Sequence, residues 1–283
     1  MSILWAALSG VCFALIAVAI RAAAGRGVEP RHLMLAAMPI CLLVMLPGAL
    51  SQPAPAVAWL SGLGVGLAQF GVIMVLRWGL RHGPLSPLWC AQMLGFVITV
   101  LWGWWNWDEA LGFGRIVAVL AAFASVVAAA WNAGGGTGPR RILPYATALV
   151  LLWLLNGATN AVFKSLAMAP GGDLMAAHGD AVLVAMYATI GVCAGLDFAL
   201  RPARAPLVAT LGCAVLLATG SLGGLALLRL CLCAPAAEVF TVNTAASLLA
   251  ATGFAWLFWR ETPARAGWIS LAFALGAVVA AAC

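Results

Sequence analysis

Charge is what this chain has least of. Only 8% of its 283 residues are Asp, Glu, Lys or Arg, against 65% hydrophobic, and the mean hydropathy is +1.09. A soluble domain carries about 25% charged residues, so a water-exposed globule is excluded. Lysine is almost absent: Lys164 is the only one, and the other basic residues are arginines. The net charge of +6 is scattered over short connectors rather than gathered on one face, which excludes a nucleic-acid binder. Histidine is scarce too. His32, His82 and His178 fall outside the middle of every apolar run, and neither HExxH nor GxSxG occurs, so metal-dependent and triad-type catalysis have no residues to work with. No GxxxxGK[ST] occurs and no connector could hold a nucleotide-binding domain, which excludes ATP-driven pumping by this chain. No cofactor is implied. Cysteine is not scarce, but the eight cysteines lie in or beside apolar runs or at position 283, and read as small packing residues.

What the chain has instead is apolar runs. A spanning helix needs about 20 largely apolar residues. Ten segments meet that measure, at roughly 3–20, 33–50, 56–76, 85–105, 114–132, 143–163, 181–199, 206–228, 235–258 and 266–283. The first of them, behind MSILWAALSG, has no basic flank or cleavage site and reads as a span, not a removable signal. Eleven of the fourteen basic residues fall in connectors that lead from an odd span to an even one. The positive-inside rule therefore expects that side to be cytoplasmic and both termini outside.

The chain also resembles itself. WWNWDEALGFGRIVAVLAAFASVVAAA at 104–130 aligns without a gap with WLFWRETPARAGWISLAFALGAVVAAA at 256–282, an offset of 152. Trp104 meets Trp256, Trp107 meets Trp259, and Glu109 meets Glu261. Five spans is an odd number, so the second copy must enter the membrane from the opposite side. The expected fold is an all-α integral membrane protein of ten transmembrane helices in a five-plus-five inverted repeat. Residues 1–133 form one repeat, 134–142 a connector and 143–283 the other.

This arrangement resembles the drug/metabolite transporter superfamily, specifically its EamA-type members. The similar stretches begin LRWGLRHGPLSPLWCAQMLGFVITVLWGWWNWDEALGFGRIV and LLRLCLCAPAAEVFTVNTAASLLAATGFAWLFWRETPARAGW, which correspond to the later helices of each half. Where the family carries Gly-Glu, this chain has Asp108-Glu109 and Arg260-Glu261, and its SQPAPA connector lacks the family's usual basic charge. The resemblance implies a multi-pass transporter of a bacterial inner membrane that moves a small organic solute by alternating access, with efflux favoured.

Polar residues inside the apolar runs are the candidate site. WLLNGATNAVFK places Asn156, Asn160 and Lys164 on one helix face behind Trp153. Gln69, Trp89, Gln92, Tyr187, Thr241, Asn243 and Thr244 complete the candidates for substrate binding, and Thr244 matches Gln92 at the offset of 152. Set against each other at Arg21 and Lys164, the first and sixth spans place Phe13 and Ala17 where the second half has Asn156 and Asn160. The amides either line a wet chamber or bond helices to one another, and intramembrane amides serve both purposes. An amide-rich lining suits a polar or zwitterionic, amino-acid-like metabolite, with uptake of a sugar or nucleobase as the alternative. Glu238 and Lys164 are the candidates for proton or ion coupling. Glu238 also fits a helix first turn after Pro235, and Lys164 fits a cation snorkelling from a helix end. A non-transporting intramembrane enzyme or lipid-handling protein is the rival class. The expected partners are the solute and the lipid bilayer, and a monomer and a homodimer are equally compatible with the sequence.

Overall fold

The computed structural model describes residues 1–82, 85–110, 112–132, 142–170, 172–201, 206–260 and 265–282. Among them the chain is helical, without strands. The helices are α1 (Ser2–Ala24), α2 (Pro30–Ser51), α3 (Ala56–Leu80), α4 (Leu85–Met93), α5 (Phe96–Trp107), α6 (Phe113–Asn132), α7 (Ile142–Ala167), α8 (Leu174–Leu200), α9 (Leu207–Arg229), α10 (Ala236–Trp259) and α11 (Arg265–Ala282). Seven of these, α1, α2, α3, α7, α8, α9 and α10, are long and apolar enough to cross a membrane, which marks a multi-pass membrane protein. The expected connector at 134–142 lies almost wholly outside the described residues, with Ile142 already in α7.

Two sequence expectations change at this level. The run at 85–105 is not one helix but two, broken at Leu94 and Gly95. At the break the backbone tightens into turn bonds, Gly95 N–H to the Gln92 carbonyl at 3.1 Å and Val97 N–H to the Leu94 carbonyl at 3.0 Å, which leave each carbonyl a lone pair to fill. Side chains of α7 fill both: Trp153 Nε1 donates to the Leu94 carbonyl at 3.0 Å, and Asn156 Nδ2 donates to the Gln92 carbonyl at 2.8 Å. The two backbones touch there. A Cβ added to Gly95 would stand 2.7 Å from the Gly157 nitrogen, so no larger residue fits. His178 and Asp180, expected in a connector, instead belong to the first turns of α8, where His178 has non-helical dihedrals (φ −129°, ψ 17°) that kink the helix.

The helices pack in a regular scheme. α1 lies against α9 and α10, while α7 lies against α3 and against α4 and α5. α2 packs on α8 and α9, α8 on α2 and α3, and α6 on α11. Small residues set the closest approaches: a Cβ on Gly10 would run into the Asn243 carbonyl oxygen, and one on Gly62 into that of Val182.

α5 and α10 end alike. Asp108 closes α5 at φ 49° and Arg260 closes α10 at φ 54°, the only non-glycine residues in the left-handed region among those described. A side chain is disfavoured there, which gives a physical reason for a glycine ahead of the glutamate. Asp108→Gly and Arg260→Gly are each expected to stabilise the protein by about 0.5–1 kcal/mol. A thermal midpoint in detergent that stays put or falls would contradict this.

Candidate functional site

Helices α1 to α4 and α7 to α10 surround a central cavity with about 1300 Å³ of atom-free space, counted out to where it meets its surroundings. α5, α6 and α11 contribute no lining residue among those described. Of the residues singled out from sequence, Gln69, Trp89, Gln92, Asn156, Asn160, Tyr187, Asn243 and Thr244 all line this space. Thr241 does not. It is fully buried beside the cavity wall, and its hydroxyl has no partner among the described residues. It follows Phe240 directly and is turned about 100° around the helix from it, off the face that lines the cavity.

The lining amides divide by what they already hold. Asn156 is committed to the carbonyl at the α4–α5 break, and Asn243 donates to Ser9 Oγ at 2.9 Å and the Ala6 carbonyl at 3.2 Å, tying α10 to α1. Tyr187 and Ser221 share a hydrogen bond of 2.9 Å across the cavity wall. Asn160 and Gln69 hold no hydrogen bond among the described residues, and Gln92 Oε1 is buried without a partner. Both readings of the amide stripe are therefore present on one helix face, Asn156 holding structure and Asn160 facing the chamber. Removing the Asn156 bond with Asn156→Leu is expected to cost about 1 kcal/mol of stability, because the Gln92 carbonyl keeps only the Gly95 amide and the tie from α7 to the break is lost. An unchanged melting midpoint would contradict that role.

Sequence reasoning missed much of the apolar lining. Met34, Met38, Met93 and Met186 border the cavity, as does Phe163. An apolar residue in a membrane helix carries no mark of whether it faces lipid, core or cavity, so only packing reveals these.

The third member of the stripe behaves unlike its expectation. Lys164 is not snorkelling; it is fully buried. Its Nζ lies 2.8 Å from Glu109 Oε1, 2.8 Å from the Leu232 carbonyl and 2.6 Å from the Ala234 carbonyl. Three acceptors around one ammonium outweigh the pull of the interface. Glu109 Oε2 in turn accepts from the Ala236 amide at 2.6 Å, placing a carboxylate on the N-terminus of α10. Neither Lys164 nor Glu238 lines the cavity. Glu238, in the first turn of α10, accepts from the Ser2 hydroxyl at 2.6 Å. The same end of the bundle holds the ion pair of Arg229 with Asp180, and a Cys233 thiol that donates to Asp173 Oδ2 at 3.0 Å. That carboxylate, with burial second, pushes the Cys233 thiol above its ordinary value, so it stays protonated at neutral pH.

The opposite end of the bundle carries a second network. Arg31, itself buried, reaches Glu29 at 3.0 Å, Asp197 at 3.6 Å and the Arg201 carbonyl at 2.7 Å, while Arg77 joins Asp197 and Glu29, each at 3.2 Å. An uncharged chamber thus lies between two charged ends.

No family model matches this chain, and no curated protein matches it. A solved crystal structure of a protein superposes with a TM-score of 0.78 over 99% of this chain and 96% of that one, at 18% sequence identity. The likeness shows that this helical fold has been seen in a solved structure, and it extends over essentially the whole chain.

Proposed function

We propose that the protein is a secondary transporter, an EamA-like member of the drug/metabolite transporter superfamily, that carries a small polar or zwitterionic metabolite by alternating access. The observation that carries this reading is the central cavity, bordered by eight helices and holding amides at Gln69, Gln92 and Asn160 that are unpaired among the described residues, with ion pairs towards either end of the bundle. Amides left unpaired in a membrane interior are costly unless a solute or water meets them.

The inverted repeat, with ten spans, is part of the same proposal. Three features support it. The left-handed caps Asp108 and Arg260 stand at the offset of 152. At that same offset, Trp107 has Lys164 over its ring at 5.9 Å and Trp259 has Arg21 over its ring at 5.3 Å. This favours setting Arg21 against Lys164. Contacts between the halves also recur in pairs: α1 on α9 with α7 on α3, and α1 on α10 with α7 on α4 and α5. A pseudo-two-fold axis in the bilayer plane produces such pairs, and substrate sites of such folds lie near that axis. The broken α4–α5 against the continuous α10 is where the halves depart from each other, and that departure falls on the cavity wall.

The test is counterflow in proteoliposomes, screened with amino acids, sugars and nucleobases. Saturable flux that Asn160→Leu abolishes is expected. Flux indistinguishable from empty liposomes for every class would contradict the proposal.

A further inference from the structure

We propose that the cavity selects solutes with no net charge and that the carrier moves them without a proton or ion as co-substrate. This rests on the carrier reading above and adds the charge class and the coupling. Among the described residues the lining contains no Asp, Glu, Lys, Arg or His. A net charge brought from water into that space would lose its hydration and meet no counter-charge, whereas a neutral or internally balanced solute leaves no such deficit.

The amides left open sit on one wall. Gln69 on α3, Gln92 on α4 and Asn160 on α7 come from three helices packed on one another, and each offers amide groups that no partner among the described residues takes. The facing walls carry soft apolar side chains, Met34 and Met38 on α2, Phe13 on α1 and Phe240 on α10, beside Asn243, Tyr187 and Ser221, which are already hydrogen-bonded, and the small hydroxyls of Thr244 and Ser247. A polar head against α3, α4 and α7 with an apolar body opposite matches both walls, and methionine side chains adapt to bodies of different shape.

Among the described residues every acidic group but Asp108 holds a partner elsewhere, Glu29 with Arg31 and Arg77 and Asp173 with the Ala176 amide. Glu109 is paired with Lys164, Glu238 accepts from Ser2, Asp180 is paired with Arg229, and Asp197 is paired with Arg31 and Arg77. None of them lines the chamber. A solute crossing it therefore has no titrating group to exchange a proton with, and an electroneutral carrier has no reason to respond to membrane potential.

The experiment uses one hydrocarbon body with four heads: 3-phenylpropanamide, phenylalanine, 3-phenylpropanoate and 3-phenylpropylamine. Thermal stabilisation of the purified protein is measured with each, and phenylalanine flux into proteoliposomes is measured under an imposed pH gradient and under a potassium–valinomycin potential. The expected result is stabilisation by the amide and phenylalanine at concentrations at least tenfold below any needed for the two ions, with a flux rate unchanged by either gradient. Equal stabilisation by either ion, or a rate that moves severalfold with either gradient, overturns charge selection or uncoupling while leaving the carrier reading intact. No stabilisation by any member together with no flux overturns both.

Discussion

Replacing Lys164 with methionine is expected to lower the thermal midpoint in detergent by about 10 °C, equivalent to a loss of about 3–5 kcal/mol. The ammonium is fully buried and bridges Glu109 on the α5–α6 connector to the carbonyls of Leu232 and Ala234 just before α10. Methionine matches the length of the stem but leaves the Glu109 carboxylate and two carbonyls without their donor. The cost comes from what is left behind. It follows that Glu109→Gln added to Lys164→Met restores much of the loss, because a neutral amide still accepts from the Ala236 amide and needs no counter-charge. A double variant as unstable as the sum of the two singles would contradict the pairing.

The second large effect is on binding. Asn160→Leu and Gln69→Leu are each expected to weaken solute affinity by about 10–100-fold while leaving the melting midpoint in place, since neither amide holds a hydrogen bond within the described protein. Asn156→Leu, one turn from Asn160, is expected to do the reverse in emphasis, losing stability first. Paired melting and counterflow measurements on the three variants separate the roles. Three variants that lose stability alike would make the stripe a structural seam.

The sequence made the membrane class legible because apolar length and scarce charge are properties of composition. It made the amide lining legible because a polar residue inside hydrocarbon must face something polar, and Gln69, Gln92, Asn156 and Asn160 stood out on that ground. The α4–α5 break was not legible, because Leu94-Gly95 reads as an ordinary apolar stretch with one tolerated glycine. Only the partner helix, with Trp153, Asn156 and Gly157 arrayed against it, shows why the break is stable there. Lys164 was misread for a similar reason. A cation near a helix end snorkels unless acceptors from distant segments converge on it, and Glu109, Leu232 and Ala234 come from other parts of the chain. Thr241 failed as a lining residue because a cluster of polar residues on one helix does not say which side of it faces inward. The methionines of the cavity had no polar signal at all.

The most direct test of the passage is the reach of Asn160 from the two sides of the bilayer. In a chain cleared of its eight cysteines, Asn160→Cys is labelled in oriented vesicles with a membrane-impermeant maleimide applied to one face or the other. Alternating access predicts modification from either face, slowed by a transported solute. Labelling from neither face would mean that position 160 points into lipid or packed protein, and labelling from one face under every condition would mean a dead-end pocket.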